Sequence, residues 1–241
     1  MLRMSVMTRE LIKTSLVLAL LLMAIPAAAQ VPAPVRPGDD DEDERRPYSR
    51  FHVGLLSGAQ RVDTTGITAA GEFGVRLRRG LHLVVEGGWM SDITTASRRD
   101  EVNTYAQFVQ GAYGVPTSGV IESPTFFGMV GFRLIPDGKP AGESDGVRPY
   151  LSASAGLARV EYLPTFTVDG QAVSGPGLVL YGVELGRDLL GTTNRFAYSG
   201  AAGVVFGDTW YLDLGVRMTR IHTTDHPTTV TRLAIGMGRR F

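Results

Sequence analysis

The chain has 241 residues, with 24 basic and 24 acidic side chains and no cysteine. A balance this even gives no electrostatic case for nucleic-acid binding, and the lack of thiols excludes a disulfide framework, a thiolate metal site and a cysteine nucleophile. Thirty glycines with few long apolar runs point to many short strands rather than helices.

Residues 1–30 read as a secretory signal. Arg3, Arg9 and Lys13 give a basic start, residues 16–26 a short apolar run, and Ala27-Ala28-Ala29 the small residues of a cleavage site. The apolar run is too short to prefer a membrane-spanning helix. Cleavage would leave 211 residues (241 − 30), enough for one domain, with 21 basic (24 − 3) and 23 acidic (24 − 1) side chains. Residues 31–49 read as a linker holding four prolines and the acidic run Asp39 to Glu44. Six neighbouring acids repel and have nothing to bury, so disorder is expected there rather than a calcium site.

From Arg50 onward eight strands are expected, each alternating with period two. They run over 51–60, 68–78, 81–90, 124–135, 147–160, 195–206, 210–220 and 228–241. Arg79-Gly80 and Gly207-Asp208-Thr209 make tight turns, because glycine supplies the positive φ such turns need. Residues 91–120 and 161–193 read as long polar connections. The second is expected to hold a short hairpin at Asp169-Gly170 and a brief helix at Val183–Leu190. Short turns at one end and long connections at the other suit a small bacterial barrel with external loops and both termini in the periplasm.

The last strand carries the sharpest pattern. Leu233, Ile235, Met237 and Phe241 form an apolar face, interrupted by Arg239, while Ala234, Gly236 and Gly238 form a small one. This resembles the C-terminal strand of small eight-stranded outer-membrane β-barrels of the OmpA transmembrane-domain and OmpX type. Arg239 stands where that family has an apolar residue. The resemblance covers 50–241 and implies an all-β, eight-stranded antiparallel up-and-down transmembrane barrel. It further implies an outer-membrane protein of a two-membrane bacterium, monomeric, in contact with outer-membrane lipid. Leu233, Ile235, Met237 and Phe241 would then be the signal read by the barrel-assembly machinery.

Alternation alone also fits a soluble lipocalin-like barrel with its apolar face inward. Three features favour lipid outside. The polar face mixes small residues with the charges Glu72, Arg76, Glu86, Arg133, Asp213, Arg217 and Arg232, which suits a narrow interior where the charges pair. Aromatic residues lie near the strand ends, with Phe51, Phe206, Trp210 and Phe241 at one end and Trp89, Phe126, Phe196 and Tyr198 at the other. Two such rings make membrane-interface girdles. The terminal Phe241 agrees with them.

Chemistry is sparse. His52 and His82 fall on inward faces. His222 and His226, with Asp225 between, have weak metal-ligand spacing on a loop. No histidine is followed two residues later by serine, the pair that lipid A deacylase barrels use, and no nucleophile or phosphate-loop motif is present. The sequence therefore predicts no catalytic set, no cofactor and no metal. The leading expectation is a structural or surface-binding barrel that takes an extracellular ligand at 91–120 and 161–193. The alternatives are a lipid-modifying enzyme, a narrow solute or ion passage, and a soluble ligand-binding barrel.

Overall fold

The structure, a computed structural model, describes residues 48–58, 66–78, 80–135, 147–186, 189–207, 210–223 and 227–240, with the backbone alone at 49–58 and 240. In chain order come β1 (Tyr48–Gly58), β2 (Gly66–Arg78), β3 (Leu81–Met90), α1 (Ala96–Tyr113), β4 (Thr117–Glu122) and β5 (Thr125–Leu134). Then follow β6 (Val147–Val168), β7 (Gln171–Ser174), a 3-10 helix (Gly175–Tyr181), β8 (Gly191–Phe206), β9 (Trp210–Ile221) and β10 (Thr228–Arg240). The expected signal at 1–30 and most of the expected linker at 31–49 lie outside the described residues. β1 begins at Tyr48, two residues inside that linker.

Eight strands close into a ring. Antiparallel ladders join β1 to β2, β2 to β3, β3 to β5, β5 to β6, β6 to β8, β8 to β9, β9 to β10 and β10 back to β1. The fold is thus the eight-stranded antiparallel up-and-down barrel that the alternation predicts, and closure leaves none of these strands with a free edge.

The register fixes the tilt. Stepping from Val160 through Thr125, Met90, Thr68, Gly54, Ala234, Gly215 and Gly203 returns to β6 at Tyr150, a displacement of ten residues (160 − 150). Ten residues around eight strands incline each strand by about 40° to the barrel axis, which leaves a lumen wide enough for side chains only.

Both long connections are ordered rather than irregular. Residues 91–120 hold α1 and the start of β4, and the expected strand end at Val160 is overrun by eight residues, since β6 continues to Val168. β4 and β7 flank this extension as a three-stranded sheet. The hairpin expected at Asp169-Gly170 is present, and positive φ at both residues (48° and 75°) matches the right-handed twist of the flanking strands. Of the helix expected at Val183–Leu190, the described residues 183–186 and 189–190 are not helical. The helical turn falls at Gly175–Tyr181 and ends at Gly182, whose φ of 69° lets the chain reverse.

α1 forms because Val102, Ala106 and Val109 recur at helical spacing and fall on one face. Gly114 terminates it in the left-handed conformation, its N–H donating to the Gln110 carbonyl at 2.9 Å. The buried face of α1 packs with Tyr162, Phe166, Val168 and Leu178, so helix and sheet together form a cap.

Candidate functional site

The small residues of the inner face make room for large ones. A Cβ added at Gly203 or Gly215 would lie 2.7 Å or 2.5 Å from Tyr150 Oη, and one added at Gly74 would overlap the Tyr48 ring. Glycines therefore let Tyr48 and Tyr150 lie against the wall and aim their hydroxyls into the lumen. Tyr48 Oη donates to Glu72 Oε1 at 3.0 Å, and Tyr150 Oη donates to Asp213 Oδ1 at 2.9 Å.

The expected interior charges gather around these hydroxyls. Arg133 Nη2 donates to Glu72 Oε2 at 2.6 Å, and Arg217 Nη2 lies 3.5 Å from the same oxygen. Arg217 also pairs with Glu86, and Arg232 Nη2 lies 3.8 Å from Glu86 Oε1. Arg232 Nη2 donates to Thr219 Oγ1 at 3.0 Å, and that hydroxyl donates to Ser199 Oγ at 3.2 Å. Glu72, Glu86, Arg133, Asp213, Arg217 and Arg232 are all buried. Arg76 is half-buried on the inner face of β2, opposite His82 in the ladder.

Apolar residues stand on both sides of this network. Val84, Ile135, Val205 and Tyr211 pack near the turn end. Met90, Phe127, Met129 and Val160 lead into the cap at the other. Arg133 lies with its guanidinium carbon 4.4 Å from the Tyr150 ring centroid and Arg232 4.9 Å from that of Phe127, so an aromatic ring covers a face of each guanidinium. The site can hold charges in fixed pairs.

The outer wall is apolar. Phe126, Phe196, Tyr198 and Trp210 are exposed on it, and Trp89 and Phe206 are half-buried on the same face. Leu233, Ile235 and Met237 also point outward. The side chain of Phe51, and Phe241 as a whole, lie outside the described residues.

β6 reverses its polarity along its length. From Leu151 to Leu157 the odd, outward positions are Leu, Ala, Ala and Leu, and the inward ones are Ser152, Ser154 and Gly156. From Arg159 to Thr167 the outward set is Arg159, Glu161, Leu163, Thr165 and Thr167, and the inward set is Val160, Tyr162, Pro164 and Phe166. The backbone runs straight through the change. β8 behaves likewise, with Thr192 and Asn194 outward before Phe196 and Tyr198.

Among the histidines, His82 faces inward with its ring 5.5 Å from that of Tyr48. His222 faces outward beside Phe196 and Tyr198 at 5.9 Å and 5.6 Å. Asp225 and His226 lie outside the described residues, as does the side chain of His52. Among the described residues no three potential ligands gather to hold a metal. Sequence reading missed two contributors. Tyr48 lies in the expected linker, and Tyr150 lies within the expected strand 147–160 with no role assigned to it. The glycines opposite them were the available signal.

No family model matches the sequence, and no curated protein matches it. Among solved structures the chain is similar to Neisserial surface protein A, at 14% identity over 81% of this chain and 96% of that chain, TM-score 0.47. It is similar to the attachment invasion locus protein Ail of Yersinia pestis, at 10% identity over 81% and 97%, TM-score 0.42. It is also similar to the N-terminal β-barrel domain of Pseudomonas aeruginosa OprF, at 13% identity over 80% and 98%, TM-score 0.39. These solved structures are small outer-membrane β-barrels, and this chain's own ladders make it an eight-stranded antiparallel barrel.

Proposed function

We propose that this protein is an integral outer-membrane β-barrel with a structural or surface-binding role rather than a catalytic one. In this reading it is a monomer whose wall faces lipid, whose interior is a closed ion-paired plug, and whose cap presents a binding surface outside the membrane. The polarity reversal of β6 at Leu157–Arg159 carries the proposal. A soluble barrel keeps one outward polarity along a strand. A strand that leaves a bilayer exchanges hydrocarbon for water on its outer side while its inner side passes from packed ions to a packed cap.

The interior supports a plug rather than a passage. Arg133, Arg217 and Arg232 are held by Glu72, Glu86 and ring faces, and apolar residues flank the network on both sides. The cap supports surface binding because its exposed residues are free of the lipid-facing constraint, and loops held on a rigid scaffold are where binding groups concentrate.

Heat-modifiability tests the membrane reading. Protein refolded into detergent micelles is run unboiled and boiled on an SDS gel. A faster unboiled band is the expected result, since a closed barrel resists SDS until heated. Folding in plain buffer with no shift would refute the reading.

A further inference from the structure

On the cap side of the outer wall, described cations stand at one level on β6 and at the end of β9. Arg159, on β6, is the first outward side chain after Leu157. Arg220, on β9, and His222, one residue past its end, follow the outward Met218. All three are exposed. Arg159 pairs with Asn194 across the β6–β8 ladder, and Arg220 with Tyr198 across the β8–β9 ladder. Their offset along β8 nearly cancels the strand tilt. The three residues therefore lie within about 5 Å of one another along the barrel axis, at the height where the wall stops being apolar.

We propose that Arg159, Arg220 and His222 form a binding site for the phosphate of an anionic membrane lipid on the outer wall of the barrel. The proposal rests on the membrane reading above and adds a ligand class to it. Two guanidiniums and an imidazole N–H surround β8, whose Asn194 and Phe196 stand between them. Guanidinium forks match phosphate oxygens, and the long arginine side chains can converge from neighbouring strands.

Among the described residues neither Arg159 nor Arg220 has an ion-pair partner, so their charge is available to a ligand. Glu161 is the nearest acid on the same face of β6, and it stands one outward position further from the apolar wall. A phosphate at the Arg159 level is thus approached from the lipid side, with acyl chains lying along Leu157, Phe126 and Phe196. Phe196, Tyr198 and His222 form one aromatic group there, with ring centroids 5.6–6.4 Å apart, which fits the boundary between acyl chains and head groups.

Native mass spectrometry in dodecyl maltoside micelles, which contain no phosphate, provides the test. Dioleoyl phosphatidic acid is titrated into the heat-modifiable protein, with dioleoylglycerol as the phosphate-free control. The protein should retain the phosphatidic acid but not the diacylglycerol. R159Q/R220Q should weaken retention about tenfold, and R159K/R220K, which keeps the charge but not the fork, should fall between that variant and the parent. Equal retention by R159Q/R220Q, with the heat shift intact, would overturn the lipid site and leave the membrane reading standing. So would full displacement by millimolar inorganic phosphate, which would make the site one for a free anion. A parent protein with no heat shift would overturn both.

Discussion

Arg133 on β5 donates to Glu72 on β2 at 2.6 Å, across the lumen and past the intervening strand β3. The contact joins strands that share no ladder. Glu72 also meets Arg217 on β9, and Glu86 on β3 meets Arg217 and Arg232 on β10. These cross-lumen struts tie opposite walls together, whereas ladder hydrogen bonds tie only neighbours. A charge network of this kind needs all its members, because each ion left alone in a packed interior bears its full desolvation cost.

Removing Glu72 should therefore hurt more than removing a surface acid. E72Q leaves Arg133 and Arg217 without that carboxylate, and a loss of about 3–5 kcal/mol is expected. E72Q/R133M should recover part of it. Urea unfolding in micelles, followed by tryptophan fluorescence, reads both, and an unchanged midpoint for E72Q would show that the strut carries no stability.

The outer wall gives a complementary expectation. Val130 lies on the outer face of β5, four residues below Phe126, well inside the apolar belt. V130R should cost about 2–4 kcal/mol in a bilayer, since a guanidinium there faces hydrocarbon. A soluble barrel would tolerate the same exposed change within about 0.5 kcal/mol. Refolding yield into lipid vesicles against urea concentration distinguishes the two.

Tyr150 and Gly215 should prove coupled. A methyl at 215 would lie 2.5 Å from Tyr150 Oη, the hydroxyl that donates to Asp213. G215A is expected to destabilise by about 1–3 kcal/mol. Y150F removes the crowding atom, so the double variant Y150F/G215A should be more stable than the sum of the single effects implies. Additive losses would mean the ring moves aside freely.

The cap should yield separately from the barrel. Val102 on α1 is fully buried with Phe166 and Val109. V102D places a carboxylate in that apolar contact and should release α1, exposing Arg98 and Arg99 to trypsin. The SDS-gel shift should persist, because the ladders between the eight ring strands do not involve α1. Loss of the shift would show that barrel closure depends on the cap.

The sequence by itself determined the barrel strands and their two faces. Period-two alternation is a local property, so β3, β5 and β9 fall within a residue or so of where it places them. It also determined which charges share the inner face, because parity along a strand fixes the side. Pairing was a different matter. That Glu72 meets Arg133 and Arg217 follows from how the ring of eight strands closes, and that register belongs to all of them together.

Only the tertiary structure decided the two connections. α1 is anchored by three modest apolar side chains, Val102, Ala106 and Val109, while its larger Phe108 and Tyr113 are exposed, and that signal is too faint to read without the sheet it covers. The extension of β6 was missed for a sharper reason. Its apolar side changes from odd to even positions near Arg159, and a pattern that switches face looks like a pattern that ends. The strand continues because its environment inverts, with a packed cap inside where the ion-paired lumen had been and polar groups outside where the wall had been apolar. A sequence records the residues on each side of that change, and only the closed barrel with its cap supplies the surroundings that make them one strand.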